Sequence, residues 1–162
     1  MKKCICFLLI LVSFTGCASE PTFETVADEW VQSVAAPMRQ IAVELPEEAV
    51  LPVSESELGK LYQCDGYEIA VQTLESGDLD ATVRSVTGFG REDLTMMQTG
   101  AGDVDRWELV WSCMGETGDR VGRACILDDG NYHYVLSVLA DADRAAELET
   151  VISDLFRSYS LG

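Results

Sequence analysis

The sequence predicts an α+β protein, an antiparallel β-sheet flanked by helices. Three observations predict it. Residues 106–140 contain three alternating apolar/polar runs separated by glycine-containing turns, the pattern of an antiparallel meander. Asp65-Gly66 joins two further strand-like runs. Residues 76–88 and 141–156 instead repeat apolar side chains at three and four positions, the helical period. Strands consecutive in sequence, with helices set apart from them, give a sheet with helices laid on it.

Phe23, Val26, Ala27, Trp30, Val31 and Val34 mark one face of a first helix, which Pro37 stops. Ile41, Val43 and Leu45 alternate with Ala42 and Glu44 as a short strand closed by Pro46. Residues 47–58, with Pro52 inside, read as irregular. The runs 60–64 and 67–74 flank Asp65-Gly66, a strong hairpin pair for a type I′ turn. A two-residue loop there pairs 64 with 67 and 62 with 69. Tyr62, Cys64, Tyr67, Ile69 and Val71 then share a core-facing side.

Ser76-Gly77-Asp78 opens a second helix with Leu79, Val83 and Val86 on one side and Gly88 as its stop. Residues 94–98 form a strand and 100–104 a loop. The meander strands are 107–114, 121–127 and 132–140. A type I′ turn at Asp129-Gly130 pairs 126 with 133, and a type II′ turn at Gly118-Asp119 pairs 111 with 126. That register places Cys113 and Cys125 on opposite faces and excludes a disulfide between them. Trp107, Leu109 and Trp111 point one way, and Leu127, Tyr134, Leu136 and Val138 the other, so both faces of the sheet are expected to be covered. Asp141 is the expected cap of a last helix whose stripe is Leu148, Val151, Ile152, Leu155 and Phe156.

This order resembles the fold shared by the photosystem II subunit PsbP and the Ran-binding protein Mog1. Val43-Glu-Leu-Pro46 before the hairpin and Leu155-Phe156-Arg157-Ser158-Tyr159 at the end carry the resemblance. It implies an αβα sandwich over residues 40–162, and a binding or assembly protein without catalysis.

At the N-terminus, Lys2-Lys3 precedes an apolar run from Cys4 to Phe14, too short for a span of about 20 residues. The run ends in Phe14-Thr15-Gly16-Cys17, which resembles a bacterial lipobox except that an aromatic residue stands first. The resemblance implies a signal peptide at 1–16, a tether at 17–22 and a single domain at 23–162. It also implies Cys17 acylated and the protein held on the outer side of a membrane. Ordinary secretion with cleavage after Ala18 is the alternative.

The 162 residues carry 28 acids against 11 Lys and Arg, a formal charge of −17. Loss of residues 1–16 removes Lys2 and Lys3, leaving 9 bases against 28 acids and a charge of −19. Such a surface is repelled by nucleic acid and by anionic headgroups. The charges are dispersed and the apolar content is ordinary, as in a folded domain. Cys64, Cys113 and Cys125 remain, an odd set that reads as buried small side chains, or as one disulfide and one free thiol.

The chemistry the sequence lacks narrows its function. His133 is the single histidine, which excludes multi-histidine metal sites. Flanked by Tyr132 and Tyr134 on a strand, it reads as a packed or surface residue; a catalytic role would need Asp128 or Asp129, which serve as turn formers. Nucleophile elbows and paired Cys-x-x-Cys motifs are missing from the mature chain, and Gly115-Glu-Thr-Gly118 is too acidic to cradle phosphate. Asp78/Asp80, Asp103/Asp105 and Asp141/Asp143 have calcium-like spacing without the rest of a binding loop, and read as caps and a loop. Trp107, Trp111, Tyr132 and Tyr134 read as core and not as a sugar or peptide platform. No catalytic residue, metal ligand or cofactor is assigned. A non-enzymatic, lipid-anchored module with a protein partner is expected; a small-ligand or cation binder, or a carboxylate-dependent hydrolase, are the alternatives.

Overall fold

Alternating runs in the computed structural model, which describes residues 36–100 and 103–162, pair into one seven-stranded antiparallel sheet. Its strands are β2 (Ser54–Ser56), β3 (Gly59–Cys64), β4 (Tyr67–Glu75), β5 (Thr95–Gln98), β6 (Asp105–Met114), β7 (Asp119–Asp128) and β8 (Tyr132–Asp141). Their spatial order is β2-β3-β4-β8-β7-β6-β5. A separate two-stranded pair joins β1 (Ile41–Ala42) to the C-terminal β9 (Ser160–Leu161). Helix α1 (Leu79–Thr87) follows β4, and α2 (Ala145–Ser158) follows β8. The fold is therefore α+β, mostly antiparallel sheet with two helices. The expected signal peptide, tether and first helix lie outside the described residues.

Each face of the sheet has its own core. On one face Tyr62, Tyr67, Ile69, Cys125, Leu127, Tyr134, Leu136 and Val138 pack against Leu148, Leu155 and Phe156 of α2. On the other, Leu109, Trp111, Ala124, Ile126 and Val135 pack against Val83 of α1, with Leu79 and Val86 at the edge. Fully burying one such side chain contributes about 1.5–3 kcal/mol, so both helices are fixed chiefly by these stripes.

The Asp65-Gly66 hairpin pairs Cys64 with Tyr67 and Tyr62 with Ile69, as the sequence predicts. The helix ends of α1 also agree: Asp78 accepts from the Asp80 N–H at 3.0 Å, and the Gly88 N–H donates to the Arg84 carbonyl at 2.9 Å. Other details differ. Among the described residues only glycines have positive φ, Gly66 and Gly130 among them, so neither Asp-Gly turn is type I′, which needs two such residues.

The β7–β8 connection is wider than two residues, and Ile126 pairs with Val135 instead of residue 133. Carboxylates hold it open: Asp128 accepts from the Gly130 N–H, and Asp129 from the N–H groups of Asn131 and Tyr132, all within 2.9 Å. The Asp129 carboxyl is pushed up by burial, but these donors and the Tyr134 hydroxyl outweigh that and leave it below its ordinary value. The β6–β7 turn spans residues 115–118, so Trp111 pairs with Gly122 and not with residue 126. Both slips are even-numbered. Every side chain keeps its predicted face, and Cys113 and Cys125 fall in opposite cores.

Two further corrections concern ends. Residues 54–56, read as irregular, form β2 against β3; Ser-Glu-Ser is polar throughout and exposed, so no alternation announced it. Asp141 does not cap α2 but ends β8; the helix starts after Arg144 without a side-chain cap.

The C-terminal end of α2 is fastened electrostatically. Arg106 on β6 donates to the carbonyls of Phe156 (3.0 Å) and Tyr159 (3.3 Å), where helix carbonyls lack partners. Glu108 bridges Arg106 (3.0 Å) and Arg123 (3.1 Å), and the Arg123 guanidinium lies over the Phe156 ring at 4.5 Å. Burial raises the Glu108 carboxyl, but the two guanidiniums more than reverse it and hold the group below its ordinary value of 4.5. A lowered folded pKa stabilises the fold above the unfolded value and loses that contribution as pH falls through the folded one. Glu108→Gln should thus reduce unfolding free energy at pH 7 by about 1 kcal/mol. The gap from wild type should close below pH 4.5 in urea titrations. Close approach makes a second test: a methyl at Gly122 would stand 2.1 Å from Trp111 Cε2. Gly122→Ala should destabilise by about 2 kcal/mol in the same assay.

Candidate functional site

Among the described residues, the largest run of exposed apolar side chains belongs to the segment between Pro46 and β3. Its start is a turn closed by the Ala49 N–H on the Pro46 carbonyl (2.9 Å), with Ala49 buried in the α2-side core. Its end is fixed by Val53 N–H to the Leu61 carbonyl (2.8 Å) and by Thr73 N–H to the Leu58 carbonyl (2.7 Å). Between these anchors Val50, Leu51 and Val53 are 75%, 78% and 60% exposed, and Leu58 at the β2–β3 turn is 53% exposed. A short loop cannot turn four apolar side chains inward once both of its ends are pinned, so the sequence places them in water.

Carboxylates frame this surface. Glu47, Glu48, Glu55 and Glu57 are all exposed, and Lys60 is tied to Glu55 at 2.7 Å. Glu48 accepts a hydrogen bond from the Tyr67 hydroxyl, anchoring the loop to β4. Burial, then Glu48, push the Tyr67 phenol well above its ordinary value, so it remains a donor. Beside the loop lies a cleft of about 280 Å³ lined by Ile41, Val43, Leu58, Tyr62 and Val71. Leu58, Glu57 and Lys60 line that cleft, so its apolar floor has a charged margin.

His133 sits elsewhere and is sealed. Its Nδ1 is 2.7 Å from Thr82 Oγ1 on α1, and its Nε2 is 3.4 Å from Asp128 Oδ2 and 3.5 Å from Ser76 Oγ. Ser76 also reaches Asp128 Oδ1 at 3.3 Å. An imidazole between a carboxylate and a hydroxyl has the membership of a nucleophilic triad. Thr82 and His133 are nonetheless both buried, and the imidazole joins the start of α1 to the sheet. The network satisfies buried polar groups and agrees with the packed reading of His133.

The other sequence candidates are scattered. Asp78 caps α1, Asp103 lies in a loop, and Asp141 pairs with Arg120 at 3.4 Å. No cluster of His, Cys, Asp or Glu among the described residues could hold a metal ion. Trp111 and Tyr134 are buried and Trp107 and Tyr132 half-buried, so no aromatic platform forms. Cys64, Cys113 and Cys125 are unpaired thiols. Burial pushes the Cys125 thiol up to about 12, which keeps it protonated and unreactive. Cys17 lies outside the described residues. No helix among the described residues is long and apolar enough to cross a membrane.

Sequence reasoning passed over the Val50–Leu58 surface because it lies in a segment without periodicity. The available signal was composition: Val50-Leu51-Pro52-Val53 is an apolar run in a stretch with no element to bury it.

No family model matches the chain, and no curated protein is similar to it in sequence. Among solved structures, the chain is similar to LpqN, described as involved in cell envelope biogenesis of Mycobacterium tuberculosis, at 14% identity and a TM-score of 0.49. The likeness covers 76% of this chain and 84% of that one. At that level it assigns neither a function nor a fold family.

Proposed function

We propose that the protein is a lipid-anchored, extracytoplasmic binding module without catalytic activity, and that its partner is a protein. The anchored apolar loop at Val50–Leu58 carries this reading. Val50, Leu51 and Val53, close in the chain and all exposed, are the kind of apolar surface that a partner covers. The acidic margin fits a polar rim around an apolar interface centre. Acylation of Cys17 would tether the module, since each buried CH₂ stabilises attachment by about 0.8 kcal/mol and a second chain makes it durable. Layers in the order α2, sheet, α1 support the PsbP/Mog1-like sandwich, whose members mostly bind or assemble. The absence of catalysis rests on His133 being enclosed where no substrate reaches it.

Two measurements test the parts separately. Cys17→Ser should move the protein from the membrane fraction to the soluble one; continued sedimentation with membranes would refute the tether. A photo-crosslinking amino acid at Leu51 or Leu58 should give a discrete protein adduct in intact cells, while one at exposed Ser85 of α1 should not. Equal labelling at all three positions, or none at any, would remove the protein-partner reading.

A further inference from the structure

Among the described residues, a second uncovered apolar surface lies near the opposite edge of the sheet. On the α2 face, the helix covers β8 and β7 and reaches β6 at Arg106, but no described residue covers β6 beyond Glu108 or the β5 strand. Val110 and Met114 on β6 are 56% and 81% exposed there, and Met97 on β5, opposite Glu108, is exposed on the same face. Between β6 and α2 runs a groove of about 440 Å³, lined by Val110, Val121, Val138, Ala146, Glu149 and Ile152. Past Val121 it continues into a hollow beside Met114 and Ala142. Asp119 and Ala142 then border a third hollow together with Asp143. The trough thus begins apolar and ends acidic.

The cations along it are already engaged. Arg123 holds Glu108 and Phe156, and Arg120 holds Glu68 at 2.9 Å and the Leu139 carbonyl at 2.8 Å. Glu149, Asp119 and Asp143 are exposed and have no ion-pair partner among the described residues. The free charge at the trough's margin is therefore negative.

We infer that this trough binds a cationic amphipathic segment of another protein, apolar residues along β6 and Lys or Arg toward Asp119, Asp143 and Glu149. The inference rests on the binding-module reading but uses a surface separate from the Val50–Leu58 loop. Apolar anchors on one side of a segment laid in a groove are a recurring recognition mode, and exposed methionines adapt to varied partners. The negative margin disfavours an anionic lipid headgroup and speeds encounter with a basic segment.

The test is a displayed library of random peptides of about 12 residues. It is selected at about 0.15 M salt, to suppress loose electrostatic binding, on the mature chain carrying Cys17→Ser. Enriched peptides should carry net positive charge with apolar residues three or four apart. A synthetic member should lose about tenfold in affinity with Val110→Asp, as for removal of a central anchor. The surface reversals Glu149→Lys and Asp143→Lys, which do not touch the core, should together cost about fivefold or more. Glu92→Lys, outside the trough, should change nothing.

Neutral or acidic enriched peptides that still depend on Val110 would overturn the cationic partner while leaving a binding module. A scrambled peptide of equal charge binding as well as its parent would overturn the trough as the site. No enrichment, with uptake of a fluorescent fatty acid that Val110→Asp abolishes, would replace the peptide by a lipid. No enrichment and no uptake would overturn the inference outright, and the crosslinking at Leu51 would then judge the broader reading alone.

Discussion

Strand β8 is the constraint on which the rest of the fold depends. It pairs with β4 over nine residues, from Tyr132 opposite Glu75 to Ala140 opposite Tyr67, and with β7 along its other edge. In the hydrogen-bonded strand order, β8 is what joins the group β2-β3-β4 to the group β7-β6-β5. Tyr134, Leu136 and Val138 face one core while His133 and Val135 face the other, and all are essentially out of solvent. A strand buried on both faces cannot slip by one residue without exchanging both cores. Its register fixes where each helix can lie.

The N- and C-terminal segments are organised around that strand as well. The Tyr134 hydroxyl accepts from the Arg39 N–H (2.8 Å) and donates to Asp129 (3.0 Å). Tyr132 donates to the Ala36 carbonyl (3.0 Å). Beyond it, β1 pairs with β9, and the Glu44 N–H donates to Ser158 at the end of α2. The entering chain is thus held by one central strand and by the last helix. This arrangement keeps the apolar side chains of Ile41 and Val43 in the cleft that Leu58 also lines.

Coverage of the sheet is unequal, and that inequality produces the exposed surfaces. Helix α2 is 14 residues long and follows β8, so it lies over the middle strands. The outer strands on its face have nothing above them among the described residues. At one edge the open region is filled by the β2–β3 turn and its apolar loop. At the other, Arg106, Glu108 and Arg123 fasten the helix end and leave Val110 and Met114 in water. The buried histidine, by contrast, is placed where it completes the packing of α1.

Much of the fold was legible from spacing alone. Period two separated the faces of β3, β4, β6, β7 and β8, and period 3.6 gave the stripes of α1 and α2, because burial of one face is a local property of a run of residues. Even the misplaced turns kept every face, since both register errors were multiples of two. The Cys113–Cys125 separation followed for the same reason. What the sequence could not decide was anything set by partners distant in the chain. The polar strand β2 exists only because β3 offers it an edge, and Asp141 lost its capping role because β8 extended through it. The neighbours of His133 left it as either a packed or a surface residue; the Thr82 and Asp128 groups that enclose it come from two other elements. The candidate surface was decided last: an apolar residue is core or interface according to whether a helix reaches over it. How far α2 extends across the sheet is fixed by tertiary packing, where distant segments compete to cover the same strands.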